Sequence, residues 1–263
     1  MKTLADDKVE TVFAMFKGEP GTWKSTEALT FPLPQYWFSF DKKMNALILP
    51  MKHWGIDATQ VHYDDYKDWS SAEKKLAEFQ LKCPYKTLII DSVTSEGDCI
   101  NMQTMNMKSG TTTASGQEKG GRIGGIKVNT IEDYKAENSA FGIQTAMLKD
   151  IQAFHKVNII LIAHVIGERK PEEQGITSHA RVIITGGKAI SGKLAAYCDE
   201  VYHFNAEKPL DATKRGDITV YTTHIGDDFA RTALNLPMKI TLGDKQLYSN
   251  WVKPAIDQLN QPK

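Results

Sequence analysis

The sequence carries no net charge: 32 lysines and arginines stand against 32 aspartates and glutamates. A surface built for nucleic-acid phosphates usually shows a basic excess, so composition gives no support to nucleic-acid binding, and any such site has to be a local patch. Cysteine is scarce. Cys83, Cys99 and Cys198 lie far apart and form no CxxC pair, which argues against a disulfide framework or a zinc site and fits a reducing compartment. Long apolar runs are also missing. The longest, residues 157–166, is broken by Asn158 and His164; it is too short to span a bilayer and reads as a buried strand. The N-terminal MKTLADDKVE lacks the apolar run of a signal peptide. The expectation is a cytoplasmic protein with no membrane partner.

What is present suits a packed chain. Hydrophobic residues make up 41% and charged residues 24%, ordinary values for a globular protein, and 263 residues suit a single α/β domain with decorations. Strands are predicted at 11–16 (TVFAMF), 36–40 (YWFSF), 87–91 (TLIID), 157–163, 199–204 and 218–224, and at 46–49 and 60–63. A short helix precedes the Phe31-Pro32 boundary. Trp69, Ala72, Leu76 and Phe79 recur at helical spacing, which predicts a helix over 68–82; Ala140, Ile143, Met147, Ile151 and Phe154 mark another. Strands alternating with helices imply a mainly parallel central sheet flanked by helices. Residues 1–10 and 245–263 read as tails. Residues 108–127 and 167–187 read as mobile loops, because long polar stretches inside a compact domain are usually functional or disordered. The first holds Lys108, Lys119, Arg122 and Lys127; the second holds Arg169, Lys170 and Arg181.

The strongest local signal is GEPGTWKST, Gly18–Thr26. It follows a strand and opens a helix, the context a Walker A phosphate loop requires. Backbone N–H groups across Gly18, Glu19, Pro20, Gly21, Thr22, Trp23, Lys24, Ser25 and Thr26 would face the phosphates of ATP, proline supplying none. Lys24 would reach the β- and γ-phosphates, and the Ser25 hydroxyl would ligate Mg²⁺. The pattern G-x-x-x-x-G-K-[ST] expects glycine where Trp23 stands.

KTLIIDSVTS, residues 86–95, has the form of a Walker B strand, with Asp91 emerging beside the loop to hold Mg²⁺. VNIILIAH is another buried strand, ending in His164. Parallel strands end on one side of a sheet, so His164 is expected near the γ-phosphate as a sensor, with Ser92 in a similar role. Asp41, at the end of YWFSF, is the candidate for orienting or deprotonating water; Asp64, Asp65 and Glu96 are the alternatives.

Together these motifs resemble the RecA/RadA ATPase core, and GGKAISGKLAAYCDEVYHF, residues 186–204, is similar to the helix and strand that follow the second DNA-binding loop of that family. The size resembles the core-only phage ATPases of the Sak single-strand annealing group, within the phage AAA family ATPases. The resemblance implies a RecA-like P-loop fold, ATP and Mg²⁺ as ligands, and single-stranded DNA bound through 108–127 and 167–187. It further implies a homo-oligomeric ring or filament in which Lys188, Lys193 or Arg231 reaches a neighbour's nucleotide. That family places a water-activating glutamate where Lys43 stands here. Three readings stay open: an ATP-dependent DNA-binding protein of phage recombination or replication, a nucleotide-gated assembly module with little hydrolysis, and a small-molecule kinase.

Overall fold

Strand β1 (Phe13–Gly18) is buried at every position, so it shows no polar alternation, as expected of a parallel strand covered on both faces. It leads through the Gly18–Trp23 loop into α1 (Lys24–Ala28). The computed structural model describes residues 8–108, 121–123, 126–128, 131–171, 177–185, 188–206, 217–225 and 228–261. After α1 come β2 (Gln35–Ser39), α2 (Ile48–Trp54), β3 (Val61–Asp65), α3 (Trp69–Leu81), β4 (Thr87–Asp91) and α4 (Val93–Lys108). Then follow β5 (Gly121–Ile123), β6 (Ile126–Val128), α5 (Ile131–His155), β7 (Asn158–Pro171), β8 (Thr177–Ile183) and α6 (Lys188–Tyr197). The chain closes with β9 (Glu200–Ala206), β10 (Ile218–Tyr221), β11 (Lys239–Thr241) and α7 (Lys253–Leu259).

The main sheet runs β11-β10-β9-β1-β7-β4-β2-β3, with β8 paired to β7. From β9 to β3 the strands are parallel; β10 and β11 add an antiparallel edge. The fold is therefore α/β, with a mainly parallel central sheet flanked by helices. Successive residues of the central strands enter opposite core layers, as a period of two dictates. Phe13, Met15, Leu88, Ile90 and Leu161 pack with Leu76 of α3, Ile100 of α4, Phe141 and Leu148 of α5 and Leu194 of α6. Ala14, Phe16, Ile89, Ile160 and Ile162 pack on the other face with Ala28 and Leu29, and with Leu247, Val252 and Ile256 from the C-terminal segment. Helix α3 starts where expected, because Asp68 accepts a capping bond from Ser71 N at 2.8 Å.

Several expectations change. Residues 46–49 are not a strand: Met44–Leu47 forms a 3₁₀ turn that runs into α2, the ambiguity inherent in a short apolar run. Residues 167–187 are not simply a loop, since β7 and β8 pair as an antiparallel ribbon from Val165–Ile183 to Pro171–Thr177. The ribbon's backbone bonds form between polar-rich segments, which carry no apolar period to read. Within 108–127, β5 pairs with β6 and sets Arg122 opposite Lys127; residues 109–120, including Lys119, lie outside the described residues. Residues 245–263 are not a tail. Tyr248–Val252 makes a π-helical turn before α7, and Leu247, Val252 and Ile256 are buried at about one-turn spacing. Residues 1–7 lie outside the described residues. Val9 is tied to the C-terminus: its N–H donates to Asn260 Oδ1 at 3.0 Å, and Asn260 Nδ2 donates to Val9 O at 2.7 Å. Among the described residues no helix is long and apolar enough to cross a membrane.

The C-terminal segment is also fastened to α1. Leu247 N donates to Glu27 Oε2 at 2.8 Å, and burial raises the Glu27 carboxyl from 4.5 to about 7, opposed by that bond. A carboxyl raised in the folded state binds more protons there than in the unfolded chain, so its contribution is greatest below its unfolded value and is lost as pH rises through about 7. Glu27→Gln is expected to remove on the order of 3 kcal/mol of pH dependence between these values, read as a flatter dependence of urea midpoint on pH from 5 to 8.

Candidate functional site

The ends of four parallel strands share one rim of the sheet. Gly18 pairs with His164 across β1 and β7, and Asp91 pairs with Ile162 of β7 and with Ser39 of β2. Because Ile162 and Ile89 face the α1 side of the sheet, His164 and Asp91, two residues further along, continue towards that side. The rim outside the carboxyl ends of parallel strands is where α/β proteins bind ligands.

Glycine is needed at two points of the loop. A Cβ on Gly18 would collide with the Phe204 carbonyl and come within 2.8 Å of Thr22 Oγ1, and Gly21 adopts φ +82°. Trp23, standing where the motif has glycine, takes the same left-handed region, with φ 66° and ψ 14°. A non-glycine residue held there costs roughly 1–2 kcal/mol. The half-buried indole packs against the α1-side core, which offsets part of that cost.

Lys24 turns back into the loop. Its Nζ donates to Gly18 O and Glu19 O, both at 2.8 Å, and to Thr22 Oγ1 at 3.3 Å. Burial pulls its pKa down to about 8, against the opposing pull of Asp91, Asp41 and Glu19. The loop thus surrounds one cation with carbonyls, the arrangement from which an ammonium can be handed to phosphate oxygens. Ser25 Oγ donates to Asp91 Oδ2 at 3.0 Å. Burial, then the nearby Asp41 charge, raises the Asp91 carboxyl to about 6, opposed by Ser25, His164 and Lys24. A hydroxyl and a carboxylate at contact distance form a hard-oxygen pair that fits Mg²⁺. Ser25 and Asp91 would hold the ion, whose chemistry is to neutralise phosphate charge.

Asp41 closes the opposite side. Its Oδ1 accepts from Ser92 Oγ at 2.9 Å, and its Oδ2 lies 3.5 Å from His164 Nε2 and 3.9 Å from Lys43 Nζ. Burial alone would raise this carboxyl, but hydrogen bonds from His164, Ser95 and Ser92 outweigh it and hold Asp41 well below the usual carboxylate range. His164 N donates to Thr94 Oγ1 at 3.1 Å, while His164 Nδ1 has no hydrogen-bond partner among the described residues. The result is a cleft of about 270 Å³ lined by Pro20–Thr26, Asp41, Lys43, Ala46, Leu47, Asp91 and His164.

Most of the expected residues therefore meet here. Ser92 does not line the cleft; it is fully buried and reaches the site through Asp41. The alternative carboxylates are engaged elsewhere. Asp64 accepts from Tyr36 OH, Asp65 accepts from Ser39 Oγ at 2.7 Å, and the buried Glu96 accepts from Gln144 Nε2. Arg231 is bonded within its own chain, donating to the Ala196 and Cys198 carbonyls at the end of α6, so its guanidinium is not the extended group an in-trans finger needs. Lys193 is exposed on α6, and Lys188 is the first residue of that helix. Lys108 ends α4; Arg169 and Lys170 lie on β7 and Arg181 on β8. Sequence reasoning missed Lys43, Ala46 and Leu47 as lining residues, and Thr94 and Ser95 as supports of His164 and Asp41. The hydroxyl-rich SVTS after Asp91 was the available signal for the last two.

Gly18→Ala is expected to destabilise the fold by roughly 1–3 kcal/mol, because the colliding carbonyl belongs to the core strand β9. A thermal melt of the variant beside the parent checks this; an unchanged midpoint would mean that the loop lies further from β9.

Three solved structures are similar to this chain at low identity. A KaiC-like protein from Pyrococcus horikoshii is 13% identical with a TM-score of 0.45, over 80% of this chain and 77% of that one. The RadB recombinase is 12% identical with a TM-score of 0.46, over 80% and 79%. The flagellar accessory protein FlaH from Methanocaldococcus jannaschii is 10% identical with a TM-score of 0.46, over 88% and 84%. No curated protein matches the chain. The AAA domain family matches residues 13–232, from the start of β1 to beyond β10, and so takes in the loop, Asp41, Asp91 and His164. The chain belongs to the AAA domain family.

Proposed function

We propose that this chain is a Mg²⁺-dependent ATPase of the RecA-like class that acts on single-stranded DNA in phage recombination or replication. The observation that carries the nucleotide part is the meeting of three groups in one cleft: Lys24 in its loop, the Ser25–Asp91 oxygen pair, and the Asp41–His164 pair. Loop amides and Lys24 would bind the phosphates. Asp41 stays ionised through the neutral range, and so weak a base serves to orient water rather than deprotonate it. In the hydrolytic step the water oxygen bonds to the γ-phosphorus as the bond to the β,γ-bridging oxygen breaks. The bridging oxygen leaves on ADP with the electron pair, and the water proton passes to the released phosphate. His164 would hydrogen-bond the terminal phosphate.

The DNA part is supported by resemblance and by placement. Arg122 and Lys127 are register partners of β5 and β6, and Arg169, Lys170 and Arg181 lie on the β7–β8 ribbon. Strand ribbons carrying basic residues suit a phosphate backbone. Assembly into a ring or filament, with Lys188 or Lys193 reaching a neighbour, belongs to the same reading. Two observations favour a second reading, a nucleotide-gated assembly module with little turnover: the left-handed Trp23 in the loop, and a lysine at the position where a base is expected.

Lys24→Ala is expected to weaken Mg²⁺–ATP binding at least tenfold, as loss of a charge-assisted contact implies, in an equilibrium titration. Single-stranded DNA is expected to raise turnover by the parent protein. Binding without turnover, with or without DNA, would support the assembly reading; no binding by the parent would contradict both.

A further inference from the structure

Lys43 is more than a missing base. The turn after β2 places Lys42 in the left-handed region at φ 56°, and Lys43 then precedes the 3₁₀ turn Met44–Leu47. Its side chain lines the cleft that also holds Lys24, Asp91 and His164, yet it is 76% exposed. Its one ion pair among the described residues, Nζ to Asp41 Oδ2, is 3.9 Å long. At that length, with the ammonium in solvent although the Asp41 carboxylate is only 10% exposed, the contact is weak, and the long stem keeps its freedom. The ammonium is thus held beside the cleft by a contact it can leave at little cost. Lys24 is bound among the carbonyls of the loop, so the two cations enter the cleft from different elements.

We propose that Lys43 is a γ-phosphate-sensing cation, supplied from the chain's own β2 turn, that exchanges its ion pair with Asp41 for the terminal phosphate and so distinguishes a nucleoside triphosphate from a diphosphate. This rests on the cleft being a nucleotide site. A cation meeting the transferring phosphoryl group in cis stabilises the charge that a finger from a neighbour would otherwise meet. Its departure leaves Asp41 Oδ2 to His164 Nε2 and to water, while Ser92 still holds Oδ1. The lysine would then supply a phosphate contact at the position where the related core carries a base.

The test is calorimetric titration of ATP and ADP, each with Mg²⁺, into the parent, Lys43→Ala, Lys43→Arg and Lys52→Ala. Lys52 is an exposed residue of α2 outside the cleft lining and reports any general charge effect. The expected result is a loss of roughly tenfold or more in ATP affinity for Lys43→Ala, with ADP affinity unchanged, most of the loss restored in Lys43→Arg, and neither affinity changed in Lys52→Ala. Parallel weakening of ATP and ADP, or no change in either, would overturn the role of Lys43 while leaving the nucleotide site standing. A parent protein that binds neither nucleotide would overturn both.

Discussion

Parallel pairing of β1, β7, β4 and β2 is the constraint on which the cleft depends. Gly18 stands opposite His164 because β1 and β7 pair in the register that also sets Phe13 opposite Ile159. A slip of one residue would move every side chain of β7 to the other face of the sheet. Ile160 and Ile162 would then leave the α1-side core, and His164 would leave Asp41. The apolar layers of the sheet therefore hold the polar geometry of its rim: the residues that secure the register lie on the strands that carry Gly18, Asp91 and His164.

The rim concentrates charge where water is partly excluded, and the shifts at Lys24, Asp91 and Asp41 have a common origin. Burial opposes each charge; it prevails at Lys24 and Asp91, and hydrogen bonds prevail at Asp41. Asp41 accepts enough hydrogen bonds to stay ionised. Asp91 rises through burial first and the neighbouring Asp41 charge second, which Ser25, His164 and Lys24 only partly oppose. Two half-buried acids with opposite shifts suit different tasks, one as a fixed anion that holds water and the other as an oxygen donor completed by a cation. Trp23 and Lys43, the two departures from the motif pattern, both line this cleft. They alter its wall and its charge without disturbing the Ser25–Asp91 contact or the strands that carry it.

Much of this was legible in the sequence where local chemistry and strand pattern agree. The run from TVFAMF through GEPGTWKST is strand, loop and helix in both readings, TLIID ends at Asp91, and NIILIAH carries His164 to the same rim, although β7 does not end there but runs on to Pro171. The ribbon of β7 and β8 was not legible, since its polar residues carry no period and its stability lies in pairing between segments. The C-terminal segment was missed for a related reason: Leu247, Val252 and Ile256 are separated by mostly polar residues, and Glu27, the partner of Leu247, lies 220 positions earlier in the chain. Lys43 could be seen as a departure from a pattern, but its place beside Asp41 depends on the backbone turn at Lys42.

A crystal structure of the protein with Mg²⁺ and a non-hydrolysable ATP analogue tests the central claim most directly. The account predicts phosphates lying along the amides of Gly21–Ser25, with Lys24 Nζ moved from the Gly18 and Glu19 carbonyls onto phosphate oxygens and the ion between Ser25 and Asp91. Nucleotide bound elsewhere, or a loop with Lys24 still on its own carbonyls and no ligand at saturating analogue, would contradict it.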